Sequence, residues 1–248
     1  MAPDERLIQR FTSRSGVRIR YLDNNPVSPV GLPIVFSPGV TDFADEYIEV
    51  LDFFLPRRVI VVEVRGRGQS EAPPTGYSVA DHLTDLRAVL DEEGIDRFHL
   101  MTFSRGTSWG LDLAFSSPER IETISIGDYR AAEHGMGPDF AEMMMATRFR
   151  GKQMTDRIQP HVLVELGRAS RDRTLWSDLG ATGIPVLVAY GTEPGVLIDA
   201  GNLQQYRDHV PGVEIVVISG SGHDLFRPDR LAYPRAVKEF IDRRASGT

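Results

Sequence analysis

Ser104 stands at a break in the run His99-Leu100-Met101-Thr102-Phe103-Ser104-Arg105-Gly106, where apolar residues give way to a serine and then a glycine. Such a run reads as a strand turning sharply into a helix, with the serine at the apex. There the hydroxyl projects above the sheet edge, and the N–H of the next residue points at the group under attack. So tight a turn calls for small residues two before and two after the serine; Gly106 meets this and Thr102 does not. A serine hydroxyl is a weak nucleophile at neutral pH and needs a neutral imidazole to take its proton. Among six histidines, His223 is the best placed, because Ser219-Gly220-Ser221-Gly222-His223 follows an apolar strand pattern. His82 falls in a helical segment, His99 begins the elbow strand, and His134 and His161 fall in a long helical region. With His209, which closely precedes Pro211, these five read as structural or solvated.

The elements around these groups must bring them to one edge. Ser78-Val79-Ala80-Asp81 forms a capping box that opens a helix through Leu83, Leu86, Val89 and Leu90, and Gly94 can close it. After the elbow, Thr107 to Phe115 carries apolar residues at helical spacing and stops before Pro118. Val17 to Leu22 alternates with period two and predicts an N-terminal antiparallel hairpin. Ile34-Val35-Phe36, Val59 to Val64, Ile121 to Ile126, Pro185 to Tyr190 and Val213 to Ile218 are continuously apolar or nearly so. Separated by helix-length segments, they predict a mostly parallel sheet covered by helices on both faces, an α/β architecture. In such sheets the working residues lie past the carboxyl ends of the strands.

One region departs from the alternation. Residues 131–178 carry helical pattern without a strand, too long a connection for a simple crossover. They are expected to form an inserted helical cap on a core made of residues 1–130 and 179–248. The cap holds Phe140, Met143, Met144, Met145, Phe149, Met154 and Trp176. A methionine-rich surface suits irregular apolar ligands. Met144 and Trp176 are the expected substrate contacts, with packing of the cap onto the core as the equal alternative.

Bulk composition excludes several classes. The formal net charge of −7 argues against nucleic-acid or anionic-membrane partners, which need clustered positive charge. With no cysteine, disulfides, thiolate metal sites and a cysteine nucleophile are out. No secretory signal and no run of about 18 apolar residues is visible, which points to a cytoplasmic protein. Arg65-Gly66-Arg67-Gly68-Gln69-Ser70 is not a dinucleotide fingerprint: Glu71 replaces the third glycine, and Pro73-Pro74 prevents a helix. No cofactor, metal loop or Walker loop is expected, and the oligomeric state is open.

Four pieces in order resemble the α/β-hydrolase fold superfamily over nearly the whole length: Ser37-Pro38-Gly39-Val40, the Arg65–Ser70 loop, the Ser104 elbow and the Ser219–His223 loop. The chain departs from that family at Thr102, usually glycine, and at Pro38, often histidine. The resemblance implies a Ser104–His223 pair with an acid that fixes the imidazole tautomer. Family members most often place this acid just after the strand ending at Tyr190, where Pro194 stands here and Glu193 is adjacent. The other family position falls on Asp128, in Ile126-Gly127-Asp128-Tyr129. Asp128 is therefore favoured, with Glu193 the alternative and Asp199 third. The resemblance also assigns the oxyanion donors to the backbone N–H groups of Val40 and Arg105, with the Arg105 side chain directed into a surface network.

The activity this implies is serine-dependent hydrolysis of small-molecule carboxylic esters or lactones through an acyl-enzyme, on an apolar substrate. Carbon–carbon or thioester cleavage would use the same residues. Serine at position 104 speaks against haloalkane dehalogenation, which needs a carboxylate there. The alternatives are a cofactor-free cyclase or isomerase, or a small-molecule-binding protein on the same scaffold.

Overall fold

The computed structural model describes residues 7–137 and 139–245. Eight strands form the main sheet: β1 (Ile8–Thr12), β2 (Ile19–Asp23), β3 (Ile34–Ser37), β4 (Val59–Glu63), β5 (Phe98–Phe103), β6 (Ile121–Gly127), β11 (Val186–Gly191) and β12 (Glu214–Ile218). Four two-residue strands lie between β6 and β11: β7 (Ala132–Glu133), β8 (Arg148–Phe149), β9 (Lys152–Gln153) and β10 (Arg173–Thr174). The sheet order is β1-β2-β4-β3-β5-β6-β11-β12. β1 and β2 form the expected antiparallel hairpin, β2 runs antiparallel to β4, and the remaining pairs are parallel.

The central strands read as unbroken apolar runs because both of their faces are covered. Val35, Ile60, Leu100 and Val188 belong to one core cluster, and Phe36, Val61, Met101 and Leu187 to the other. The first core receives α2 (Val79–Glu92), α3 (Gly106–Ser116), α6 (Trp176–Ala181) and α7 (Ala200–His209), through residues such as Leu86, Trp109, Leu179 and Tyr206. The second receives α1 (Ile48–Phe53) and α8 (Ala232–Ala245), through Val50, Tyr233 and Phe240. The Ser78–Asp81 capping box opens α2, and Gly94 follows it at φ +58°. Among the described residues, no helix is long and apolar enough to cross a membrane.

Topology decides where a site can form. β3 leads through α1 to β4 on one side of it, whereas β4 leads through α2 to β5 on the other. Successive connections therefore part over the carboxyl ends of β3 and β5, opening the crevice in which doubly wound sheets bind ligands. The loop after β3 carries Val40, and the turn after β5 carries Ser104.

The segment over this crevice holds α4 (Phe140–Met145) and α5 (Pro160–Ala169). Its small apolar cluster has Met154, Ile158, Val162, Leu163 and Leu166 buried under Phe140, Met144, Met145 and Phe149, and takes in Tyr77 and Val40 from the loops beneath. The expectation of no strand there is corrected. β8 and β9 make a hairpin whose turn residues, Arg150 and Gly151, both have positive φ, while β10 pairs with β7. Two-residue strands show no alternation that a sequence could reveal. At the far end of the segment, Leu175 and Trp176 already pack on the main core.

Candidate active site

The turn after β5 is held by close contacts that only particular residues permit. Ser104 adopts φ +51°, a left-handed conformation that costs energy for a residue with a Cβ. Its N–H donates to Gly127 O at 2.9 Å, continuing the β5–β6 ladder. A Cβ on Gly106 would lie 2.3 Å from the carbonyl oxygens of Ser37 and Pro38. That is why glycine is needed there. Thr102 is accommodated because its partner on α3 is Gly110, where a Cβ would stand 2.7 Å from Thr102 Cγ2. The Thr102 hydroxyl donates to Ser125 O at 3.2 Å and accepts from Thr107 Oγ1 at 2.9 Å. The small-residue requirement is thus met from the helix side.

His223 joins the elbow to Asp128. Its Nδ1 lies 2.7 Å from Asp128 Oδ2, and its Nε2 lies 2.9 Å from Ser104 Oγ. A carboxylate only accepts, so Nδ1 carries the proton and Nε2 is free to accept from the serine hydroxyl. Asp128 is fully buried, at φ +41°. Its carboxylate also accepts from Leu197 N–H at 2.9 Å and Ile198 N–H at 3.2 Å. Three donors therefore orient one buried charge, which is what makes its burial tolerable. Phe103 stacks on the imidazole at 5.1 Å between ring centres. The His223 loop is braced from β11: Thr192 and Glu193 N–H both donate to Ser221 O, at 2.8 and 2.9 Å. Glu193 itself is exposed, and its carboxylate accepts from Thr192 Oγ1 rather than from the imidazole. Asp199 caps α7, accepting from Asn202 N–H.

The loop after β3 is fixed from two sides. Gly39 N–H donates to Asp42 Oδ2 at 2.6 Å, and Arg67 Nε–H donates to Val40 O at 2.9 Å. A Cβ on Gly39 would come within 3.2 Å of Ser104 Cβ, so this loop closely approaches the elbow. Arg67 is buried and finds carbonyls and aromatics rather than a carboxylate: Arg65 O, His82 Nε2 and the face of Trp109. Burial pushes its pKa down to about 9. Burial, reinforced by the Arg67 charge, also holds the pKa of His82 well below the usual histidine range. His82 therefore stays neutral, donating from Nδ1 to Ser78 O and accepting from Arg67 at Nε2.

Two arginines fasten the overlying segment to these loops. Arg150 Nε and Nη2 donate to Asp224, beside His223, at 2.9 and 3.0 Å, and Nη1 lies 3.0 Å from Glu46 and 3.5 Å from Asp42. Arg157 donates twice to Thr41 O and once to Glu46. Burial pushes the Asp42 carboxyl up against the opposing charge of Arg150. Burial also works against the Asp224 carboxylate, but its hydrogen bonds and charge pairing with Arg150 hold it below the usual carboxylate range.

Above Ser104 lies a cavity of about 460 Å³, lined by Val40, Arg105, Tyr129 and Leu197 from the core and by Met136, Phe140 and Met143 from the cap. The two expected substrate contacts require correction, because neither lines this cavity. Met144 turns into the cap's apolar cluster, one helical position away from Met143. Trp176 packs edge-on against Tyr206, 4.7 Å between ring centres. His134 lies on the cavity wall, unlike the other unassigned histidines. The side chain of Arg105 is also corrected: it is buried and lines the cavity, donating from Nη1 to His134 O at 3.0 Å. Sequence reasoning missed Leu197 and Ile198, whose contribution is backbone and has no side-chain signal. It also missed Asp42 and Arg67, which fix the loop after β3, and Arg150 and Arg157, whose partners are distant in sequence.

Comparison with known proteins agrees with this fold. A family profile described as alpha/beta hydrolase fold matches residues 33–125. A curated relative, the non-heme chloroperoxidase of Streptomyces lividans, is 23% identical over 91% of this chain and 99% of its own. Among solved structures, the enol-lactonase of Burkholderia xenovorans LB400 aligns with a TM-score of 0.78 at 18% identity, covering 94% of this chain and all of that one. An esterase from Exiguobacterium antarcticum aligns at 0.77 and 17% identity, over 95% and 100% of the two chains. At such identities the structural likeness shows the fold.

Proposed function

The chain belongs to the α/β-hydrolase fold superfamily, and within it we propose a serine hydrolase of small-molecule carboxylic esters or lactones. One observation carries this reading: a single imidazole is hydrogen-bonded to Ser104 Oγ on one side and to a buried carboxylate on the other. Ser104 Oγ attacks the carbonyl carbon while its proton passes to His223 Nε2. The imidazolium that forms is stabilised by Asp128, which stays ionised. Negative charge on the former carbonyl oxygen meets the N–H groups of Val40 and Arg105, each such donor worth on the order of 3 kcal/mol of barrier. As the tetrahedral intermediate collapses, the C–O bond to the alcohol breaks and His223 returns the proton to the departing oxygen. Water, deprotonated by the same imidazole, then attacks the acyl-enzyme; acid is released and Ser104 recovers its proton.

A cavity of about 460 Å³ suits a small molecule. The test is product analysis with a panel of short-chain aryl esters and five- and six-membered lactones. Release of the free acid or ring-opened hydroxy acid is expected. A rearranged or cyclised product with no net uptake of water contradicts the reading.

A further inference from the structure

Two arginines face the substrate cavity with donor capacity that no protein group uses. Arg105 Nε and Arg130 Nε are both buried without a hydrogen-bond partner, and both side chains line the cavity that contains Ser104. Arg105 is partly matched, through His134 O at 3.0 Å and through Glu133 at 3.8 Å. For the Arg130 guanidinium, no described residue provides a hydrogen bond or an ion pair. Two other guanidinium groups near the site meet carboxylates, Arg150 at Asp42, Glu46 and Asp224 and Arg157 at Glu46, whereas Arg67 leaves its buried Nη2 unpartnered but is held by Val40 O and Arg65 O. Asp139, the acid of the cavity lining, is exposed at the start of α4 and forms no ion pair with Arg130.

Arg130 is half-buried: its enclosed Nε–H has no acceptor, which is costly, and its Nη groups have none from the described residues, so a ligand in the cavity can supply one. The two Nη groups of arginine form a parallel pair of donors whose spacing fits the two oxygens of a carboxylate, and in Arg130 these, rather than the enclosed Nε, are the donors left for a ligand. Glu133 lies 3.8 Å from Arg105 and 3.6 Å from Arg173 and makes no pair with Arg130, whose single charge matches a monoanion. We propose that the substrate is an ester or lactone bearing a free carboxylate, which Arg130 binds while Ser104 attacks the ester carbonyl. This rests on the hydrolase reading above. It also amends the expectation of a wholly apolar substrate: Met136, Phe140 and Met143 would cover the carbon skeleton, and Arg130 would take its charged end.

The test compares matched substrates. Mono-(4-nitrophenyl) glutarate and adipate are set against 4-nitrophenyl pentanoate and hexanoate, in which a methyl group replaces the carboxylate. For the better acid of the two, wild-type kcat/KM should exceed that of its neutral partner by at least ~10-fold. Arg130→Gln should lower that ratio roughly 10–100-fold, through KM, as expected for a hydrogen bond to a charged group. Arg130→Lys, keeping the charge but not the fork, should restore part of it. A wild-type ratio near one or below for both acids, or an Arg130→Gln ratio equal to wild type, overturns the proposal. Titration calorimetry with the uncleaved anilides, glutaric monoanilide against pentananilide, asks the same question without catalysis. Tighter binding of the acid that is lost in Arg130→Gln supports the carboxylate site; equal binding of the two overturns it. Failure of a fluorophosphonate to label Ser104 would remove the hydrolase reading alone, leaving the binding result to stand by itself.

Discussion

Ser104, His223 and Asp128 are separated widely in sequence, yet each is placed by a constraint only a few residues away. The serine and the aspartate both follow directly from strand ends, and both take positive φ. Their N–H groups still pair across the ladder, to Gly127 O and Ala189 O. Both side chains are thereby carried up from one sheet edge, and the glycine-bearing loop before His223 lowers the imidazole between them. If the three act as one unit, Ser104→Ala and His223→Ala should each cut kcat by at least ~10³-fold. Asp128→Asn should cost roughly 10²–10⁴-fold, because an amide no longer enforces the productive imidazole tautomer, while Glu193→Gln should leave kcat within about twofold. Steady-state kinetics on one aryl ester checks all four. A crippled Glu193→Gln beside an active Asp128→Asn would reassign the acid.

At the scale of elements, the contact between β5 and α3 accounts for the one position where the elbow departs from its family. Thr102 Cγ2 occupies the space that a side chain on Gly110 would need. Gly110→Ala should therefore destabilise the fold by about 1–3 kcal/mol through overpacking, even though alanine is the better helix former. Thr102→Ser removes the methyl and keeps the hydroxyl that bonds Ser125 O. Combined with Gly110→Ala it should recover more than half of the loss, leaving the contact of the new methyl with Leu100. Denaturant titration of the two single variants and the double variant gives the coupling directly. Strictly additive losses would show that the two residues do not share this space. The pairing was in principle visible in the sequence, since Gly110 lies one helical turn beyond Gly106. The cap was legible only as a helical insertion. Which of Met143 and Met144 meets the cavity depends on how α4 is rotated, and Phe140, Met144 and Met145 pack it on the apolar face of α5.

At the scale of the whole molecule, the sheet was readable from its apolar strands, and the site edge followed from their reading as parallel. What stayed hidden were the titratable groups that burial places without carboxylate partners. His99 is one: burial, with the nearby Arg57 and Arg97 charges, lowers its pKa from 6.5 to about 4. An unfolded chain takes a proton at this residue below pH 6.5, whereas the folded protein resists it down to about pH 4. The stabilisation is fully present above pH 6.5 and is lost as pH falls towards 4. Between pH 7 and 4.5 this one group should account for about 2–3 kcal/mol of lost stability. His82 acts in the same direction. Urea unfolding at both pH values should give a smaller pH-dependent loss for His99→Gln than for wild type, whatever its stability at pH 7. Equal losses would place the acid sensitivity elsewhere.

The central claim is that the Ser104 oxygen forms a covalent bond to a substrate acyl group with His223 as its base. Acid quenching during turnover of 4-nitrophenyl acetate, followed by peptide mass spectrometry, tests it most directly. The account predicts an acetyl group on the peptide containing Ser104, absent from Ser104→Ala and formed far more slowly in His223→Ala. Turnover that leaves Ser104 unmodified, or acetylation that is equally fast without His223, would contradict it.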